Sequence, residues 1–269
     1  MMASLRFTIL GCGSSGGVPR LGGDWGACDP TNRKNRRRRC SMLVERINGD
    51  ARTRVLIDTS PDMRAQLLDA GVGTLDGVVF THSHADHTHG IDDLRQIVFN
   101  TGKRLPVWAD GATENALIAR FGYAFVQPQG SPYPPILDLQ AIHDAPFDVT
   151  GPAGPIRFTP FTADHGTMEA LGFRIGALAY LPDAVALPAA SWVALHGLQV
   201  WVVDALRRKP HPSHAHLEMT LGWIAQARPT RAVLTNMHLD MDYETLRAEL
   251  PKGVEPAYDG MTITLDDIA

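Results

Sequence analysis

Four histidines and one aspartate lie within eight residues, directly after a short apolar segment. They occupy residues 82–89, and residues 78–80 read Val-Val-Phe, so the histidines follow the C-terminal end of a predicted strand. Buried neutral imidazoles would each need a hydrogen-bond partner, and several protonated ones would repel one another. A divalent cation removes both problems by taking imidazole nitrogens and a carboxylate as ligands. This run therefore predicts a metal site.

The spacing of His82, His84, Asp86 and His87 resembles the HxHxDH motif of the metallo-β-lactamase superfamily. Asp58, which follows an apolar segment, resembles the early aspartate that orients this motif. The resemblance implies two divalent ions, zinc or manganese, that activate a shared hydroxide. The implied ligands are His82, His84 and His165 on one ion, Asp86, His87 and His238 on the second, and Asp183 as the bridge.

Further motifs indicate a branch of this superfamily. The glycine-rich residues 10–19 resemble the start of tRNase Z-like enzymes and, more closely, of PhnP-like phosphoribosyl cyclic phosphate phosphodiesterases. Residues 39–41, 181–183 and 258–261 add to that similarity. The resemblance implies a phosphodiesterase that hydrolyses a small cyclic phosphate or nucleotide-like substrate. Two alternatives stay open: an RNA-processing nuclease of the tRNase Z type, and a non-hydrolytic metal-binding biosynthesis protein of the PqqB type.

Expulsion of a leaving alkoxide needs a proton, which a carboxylate-paired imidazole can supply. The resemblance implies His216 as this general acid and Asp204 as its partner, with His214 as the competing histidine. The predicted catalytic residues are thus Asp86, His216 and Asp204. Ser14, Ser15 and Arg95 are predicted to contact the substrate, although Arg95 could equally serve only on the surface of its helix.

Alternating and helical apolar spacings predict an α/β protein. Strands are predicted over residues 5–10, 41–47, 54–58, 77–81, 107–109, 156–162, 171–175, 177–181, 199–203, 231–235 and 261–265, and helices over residues 61–70, 91–99, 113–121, 218–227 and 243–250. No linker or repeat divides the chain, so residues 1–269 are expected to form a single domain. The resemblance implies a four-layer αββα fold, with two mixed β-sheets sandwiched between helices.

Composition excludes several classes of protein. With 44% hydrophobic and 20% charged residues, the chain is expected to fold rather than stay disordered. A net charge of −4 disfavours a general nucleic-acid binder. No apolar run reaches membrane-spanning length and no signal-peptide pattern is present, which predicts a cytoplasmic protein without membrane contact. A homodimer is one expected assembly, because dimers are common among related enzymes.

The basic residues 33–39 permit two interpretations. Most charge runs form solvated loops, and this interpretation is favoured. The alternative is a clamp for substrate phosphates or RNA.

Overall fold

A computed structural model describes residues 3–267 of the chain. The described strands are β1 (Ser4–Gly11), β2 (Ser41–Asn48), β3 (Ala51–Ile57), β4 (Gly77–Val79), β5 (Leu105–Ala109), β6 (Leu137–Ala141), β7 (Phe147–Gly151), β8 (Gly154–Asp164), β9 (Glu169–Ile175), β10 (Leu178–Leu181), β11 (Val200–Asp204), β12 (Arg231–Thr235), β13 (Val254–Pro256) and β14 (Met261–Asp266). The α-helices are α1 (Met63–Asp69), α2 (Ala85–Thr88), α3 (Leu94–Thr101), α4 (Gly111–Phe125), α5 (Leu217–Ala227) and α6 (Tyr243–Glu249). Short 3₁₀ turns cover Arg33–Asn35, Ile91–Asp93 and Ala189–Leu195.

The strands form two seven-stranded mixed β-sheets flanked by helices, as the sequence predicts. The strand order is β14-β1-β2-β3-β4-β5-β6 in the first sheet and β13-β12-β11-β10-β9-β8-β7 in the second. Each sheet combines antiparallel neighbours with a run of four parallel ones: β3 to β6 in the first sheet, and β10 to β13 in the second. Parallel neighbours end at the same edge of a sheet, so each run can present the residues after its strands together.

Two compact units make up the described chain. The first comprises the residues up to Thr8, Ser41–Arg157 and Thr262–Asp267, and the second comprises Ile9–Cys40 and Phe158–Met261. Phe7, Leu56 and Phe80 are fully buried in the first unit, and Trp201 and Tyr180 in the second. Burial of each such side chain contributes about 1.5–3 kcal/mol. That the whole chain acts as one domain stays a prediction.

A helix that crosses a lipid bilayer needs about 20 mostly apolar residues. Within residues 3–267, no helix combines the length and the apolar character of a membrane-spanning helix.

The basic segment is not the solvated loop that its charge suggests. Arg37 is only 2% exposed, and its guanidinium donates to the Met241 carbonyl oxygen at 2.6 Å and to Asn35 Oδ1 at 3.3 Å. Arg38 Nε forms an ion pair with Asp259 at 3.1 Å. Arg36 alone among these three is exposed, with its guanidinium over the Trp25 ring. The favoured interpretation is therefore wrong for Arg37 and Arg38, which hold distant segments of the second unit together.

We expect Arg37→Met to lower the free energy of unfolding by about 2–4 kcal/mol, because buried carbonyl acceptors lose their charged donor. The neighbouring Arg36→Met is the matched control and should change it by less than about 0.5 kcal/mol. Urea unfolding followed by circular dichroism measures both. Equal effects of the two substitutions would contradict a structural role for Arg37.

Candidate metal centre and active site

Asp58 is the residue around which the histidine-rich loop is arranged. It follows β3 with a left-handed φ of 62°, a conformation that aspartate tolerates better than most residues. Its fully buried carboxylate accepts from the Thr81 backbone N–H, from Thr81 Oγ1 and from His87 Nδ1, each at 2.8 Å. Because β3 and β4 are parallel neighbours, Asp58 lies beside the start of the loop. The structure thus gives Asp58 the contacts that an orienting aspartate needs.

The histidines of this loop point their ring nitrogens towards one another. His82 Nε2 lies 3.1 Å from His84 Nδ1, and the rings of His82 and His87 are 4.3 Å apart. Asp86 Oδ2 is 3.6 Å from His87 Nε2. The bond from His87 Nδ1 to Asp58 selects the tautomer in which Nε2 carries the lone pair, as is usual for metal-binding histidines. The first unit therefore presents a set of nitrogen and oxygen donors that suits a divalent cation.

A second polar cluster lies in the second unit, where β10, β11 and β12 end at one edge. Asp183 follows β10, Asp204 ends β11 and Asn236 follows β12. One ligand atom from each of Asp183, Asp204 and His214 lies within 4.8 Å of the others. Asn236 Nδ2 donates to Asp183 Oδ1 at 2.7 Å and to Asp204 Oδ1 at 3.2 Å. The amide thus holds two buried carboxylates close together.

His165 joins this cluster from the end of β8. Its Nδ1 lies 2.7 Å from the Ser213 carbonyl oxygen, a contact that makes Nδ1 the donor and leaves the lone pair on Nε2. Nε2 is 3.9 Å from Asp183 Oδ2, and the ring centroids of His165 and His214 are 4.6 Å apart. The second unit therefore brings His165 and Asp183 together, as the proposed ligand set requires.

His214, and not His216, pairs with Asp204. His214 Nδ1 lies 3.0 Å from Asp204 Oδ2, and the Ala184 backbone N–H donates to the same oxygen at 3.0 Å. Burial raises the pKa of Asp204 to about 6, against the opposing effect of His214. His216 is instead the N-cap residue of α5, and its carbonyl oxygen accepts from the Thr220 N–H. The predicted His216–Asp204 pair is therefore not the contact that the structure shows: His214, the competing histidine, contacts Asp204, and His216 Nδ1 has no hydrogen-bond partner among the described residues.

The ring nitrogens of His238 contact residues outside the second polar cluster. The Arg20 guanidinium donates to its Nε2, and its Nδ1 lies 3.4 Å from Asp240 Oδ1. Burial lowers the pKa of His238, and the charge of Arg20 lowers it further. A permanently charged guanidinium on this nitrogen disfavours a metal cation there. In this structure His238 Nε2 thus contacts Arg20, and its assignment as the last metal ligand stays a prediction.

The predicted substrate-contacting residues differ in their surroundings. Ser14 is buried and its backbone N–H donates to the Met237 carbonyl oxygen at 3.3 Å, whereas Ser15 is exposed. Arg95 lies on α3 in the first unit and forms an ion pair with Asp92 at 3.0 Å. That these three residues contact the substrate stays a prediction.

Asn236 is the residue of this site whose role the sequence did not indicate. It has a left-handed φ of 59° directly after β12. The one available signal is its residue type, because asparagine after a strand is typical of a left-handed position. The sequence gives no indication that its side chain reaches Asp183 and Asp204, which are more than 30 positions earlier.

Comparisons with known proteins identify the family. The model of the beta-lactamase superfamily domain matches residues 53–237. An octanoyltransferase of Porphyromonas gingivalis (strain ATCC BAA-308 / W83) is 35% identical over 269 residues, which cover 98% of this chain and 52% of that protein. The chain thus spans about half the length of this curated relative.

Two solved structures share the fold. The crystal structure of a new diphosphatase from the PhnP family is 34% identical, with a TM-score of 0.88 and coverage of 98% of both chains. Human tRNase Z, short form, has a TM-score of 0.63 at 14% identity, with coverage of 96% of this chain and 98% of that one. The chain therefore belongs to the metallo-β-lactamase superfamily, in its PhnP-like branch.

Proposed function

We propose that this protein is a metal-dependent phosphodiesterase that acts on a small cyclic phosphate or nucleotide-like diester, with two divalent ions, zinc or manganese, per chain. The observation that carries the proposal is the contact of half-buried His214 with buried Asp204, beside Asp183. This pair offers a proton donor next to a metal-binding carboxylate, which hydrolysis of a diester with a poor leaving group needs. The similarity to a diphosphatase of the PhnP family supports phosphorus–oxygen bond cleavage.

The proposed ligands are His82, His84, Asp86 and His87 from the first unit, with His165 and Asp183 from the second. Imidazole nitrogens and carboxylate oxygens suit zinc and manganese alike. The contacts of His87 Nδ1 with Asp58 and of His165 Nδ1 with the Ser213 carbonyl are those that metal-binding histidines usually make. What supports joining the two sets of donors is the order of these motifs along the chain, which resembles that of the superfamily.

When bound, the ions would polarise the phosphoryl group and lower the pKa of a coordinated water. In the proposed reaction, the Nε2–H of His214 protonates the leaving oxygen of the substrate. Asp204 accepts from Nδ1 and so fixes the orientation of the ring and the nitrogen that carries the transferable proton. Asn236 holds the carboxylates of Asp183 and Asp204 in place.

His238 receives a different role in this proposal. The Arg20 guanidinium donates to the ring nitrogen Nε2 of His238. The Arg20 side chain also lies close to Gly16 of the glycine-rich loop, because a Cβ added to Gly16 would be 3.3 Å from Arg20 Nε. Guanidinium groups bind phosphate oxygens strongly because their N–H groups match the spacing of two oxygens. We therefore assign Arg20 and His238 to the anionic oxygens of the substrate rather than to a metal.

The test is a substrate panel assayed with apo-protein reloaded with Zn²⁺ or Mn²⁺. We expect turnover of bis(p-nitrophenyl) phosphate and of a cyclic ribose phosphate, and its loss when EDTA is added. Elemental analysis should give about two ions per chain, and Asp183→Asn should weaken the binding of both ions, because a bridging carboxylate contacts each.

Two outcomes would overturn the proposal, and a third would change its ligand set. Cleavage of precursor tRNA alone would favour the tRNase Z-type alternative. Retained metal without turnover of any diester would favour a non-hydrolytic role of the PqqB type. Unchanged metal content in Asp183→Asn would remove Asp183 from the metal site.

A further inference from the structure

A pocket of about 450 Å³ lies in the first unit, outside the metal-binding loop. Its volume is typical of small-molecule sites. Phe99 and Tyr133 on its wall are 67% and 70% exposed, which is unusual for such large apolar rings. We call it the ring pocket, and its lining residues are Arg95, Phe99, Tyr123, Pro128, Ser131, Tyr133 and Pro134.

The composition of this wall restricts what can bind there. Phenyl, phenol and proline rings form its apolar part, and none of the lining residues is a branched aliphatic one. Flat aromatic walls favour planar π-systems, which stack on tyrosine and phenylalanine. Arg95 adds a guanidinium, which can lie over a ring face or bind an anionic oxygen.

A polar contact holds the ring pocket in shape. Asp92 Oδ1 accepts from Arg95 Nη2 and from the Tyr123 hydroxyl, each at 3.0 Å. Burial raises the pKa of Tyr123, and the bond to Asp92 raises it further, so the phenol stays a hydrogen-bond donor at neutral pH. The cation and one ring of the pocket are thus oriented before any ligand arrives.

The ring pocket adjoins the histidine-rich loop of the same unit through α4. The Arg120 guanidinium donates to the carbonyl oxygen of Ser83, which lies between His82 and His84. Tyr123 of the ring pocket follows Arg120 by three residues, and the helical geometry breaks at Phe121 between them. The Phe121 ring lies edge-on to His89, with centroids 5.5 Å apart. α4 thus contacts the histidine-rich loop at Arg120 and Phe121 and contributes Tyr123 to the ring pocket.

We infer that the ring pocket binds the base of a nucleotide-like substrate whose phosphate reacts at the metal-binding loop. This inference rests on the proposed function and narrows its substrate class from small diesters in general to those that carry a nucleobase. Tyr133 and Phe99 stack on the base, and Arg95 contacts its face or a phosphate oxygen. The sequence predicts that Arg95 contacts the substrate, and this inference places that contact in the ring pocket.

Binding of AMP and of ribose 5-phosphate to the metal-loaded full chain tests the inference, because AMP carries adenine where ribose 5-phosphate carries the anomeric hydroxyl. Calorimetry should show that the wild-type protein binds AMP at least tenfold more tightly than ribose 5-phosphate. Tyr133→Ala should weaken AMP binding about tenfold, since one stacked base accounts for this order of affinity. It should leave ribose 5-phosphate binding unchanged. Tyr133→Phe should retain the wild-type affinity for AMP, because it keeps the ring.

Val193→Ala is the matched control, because Val193 is an equally exposed apolar residue in the second unit; it should alter neither affinity. Equal affinities of the wild-type protein for AMP and ribose 5-phosphate would overturn the inference that the ring pocket binds a base. In that case, hydrolysis of a diester in the substrate panel would still support the proposed function. A preference for AMP that Tyr133→Ala abolishes would support the pocket, even where no diester is hydrolysed and the proposed function fails.

Discussion

Replacement of His214 by alanine is expected to slow hydrolysis of a phosphodiester with an alkyl leaving group by about 10²–10⁴-fold, the usual contribution of a general acid. On bis(p-nitrophenyl) phosphate the loss should be far smaller, because p-nitrophenolate leaves without a proton. The physical basis is the 3.0 Å contact of His214 Nδ1 with buried Asp204, which in the proposed reaction orients the ring so that Nε2 faces the leaving group. The ratio of kcat/KM on the two substrates measures this selectivity.

Two further substitutions separate proton donation from general damage to the site. Asp204→Asn should show the same selectivity in milder form, because it disturbs only the orientation and basicity of the imidazole. His216→Ala is the matched control: it lies two residues further on as the N-cap of α5 and should show no leaving-group selectivity. Equal losses on both substrates in His214→Ala, with metal content unchanged, would mean that His214 positions the substrate instead of protonating it.

The choice between these two histidines shows where sequence reasoning reaches its limit. Both lie in the same short segment after the strand that ends at Asp204, and the order of residues treats them alike. Backbone contacts decide between them: the His216 carbonyl enters the first turn of α5, whereas His214 stays alongside Asp204. By contrast, the loop from His82 to His87 was predictable, because its donors are adjacent in sequence and follow one buried strand.

The strands that the sequence did not predict share one physical feature. β6 ends the first sheet, and β7 and β13 are the two ends of the second. An edge strand has one neighbour, is short and often polar, so its apolar alternation is weak. β13 has three residues and includes Pro256, which edge strands tolerate because the missing N–H faces no partner. Interior strands such as β11, which is buried throughout, gave the clear signals.

Burial of Arg37 was unpredictable for a related reason. Its acceptors are the Met241 carbonyl and Asn35 Oδ1, and the first of these is about 200 positions away along the chain. A run of basic residues carries no periodicity that marks one member as buried. Only the folded second unit separates Arg37 from its exposed neighbour Arg36.

Asp58→Asn is expected to weaken metal binding by about 10–100-fold, the usual effect of removing a partner that orients a ligand. One carboxylate oxygen of Asp58 accepts from both Thr81 Oγ1 and His87 Nδ1, and the other accepts from the Thr81 N–H. An amide supplies one oxygen and places an NH₂ group against a donor, so one of these bonds is lost. Asparagine tolerates the φ of 62° at this position, so the substitution adds little backbone strain.

Equilibrium dialysis with Zn²⁺ measures the affinity, and circular dichroism at the same temperature establishes that the variant is folded. Asp50→Asn, an exposed aspartate in the turn between β2 and β3, is the matched control and should bind metal as the wild type does. Thr81→Val removes the hydroxyl that donates to Asp58 and lies 3.0 Å from His82 Nδ1. It should have a smaller effect than Asp58→Asn, because the carboxylate still accepts from His87 and from the Thr81 backbone N–H. Wild-type zinc affinity in folded Asp58→Asn would mean that His87 does not depend on Asp58 for its orientation, and that the loop is held by its other contacts, such as the Gly90 N–H to the Thr59 carbonyl at 2.9 Å.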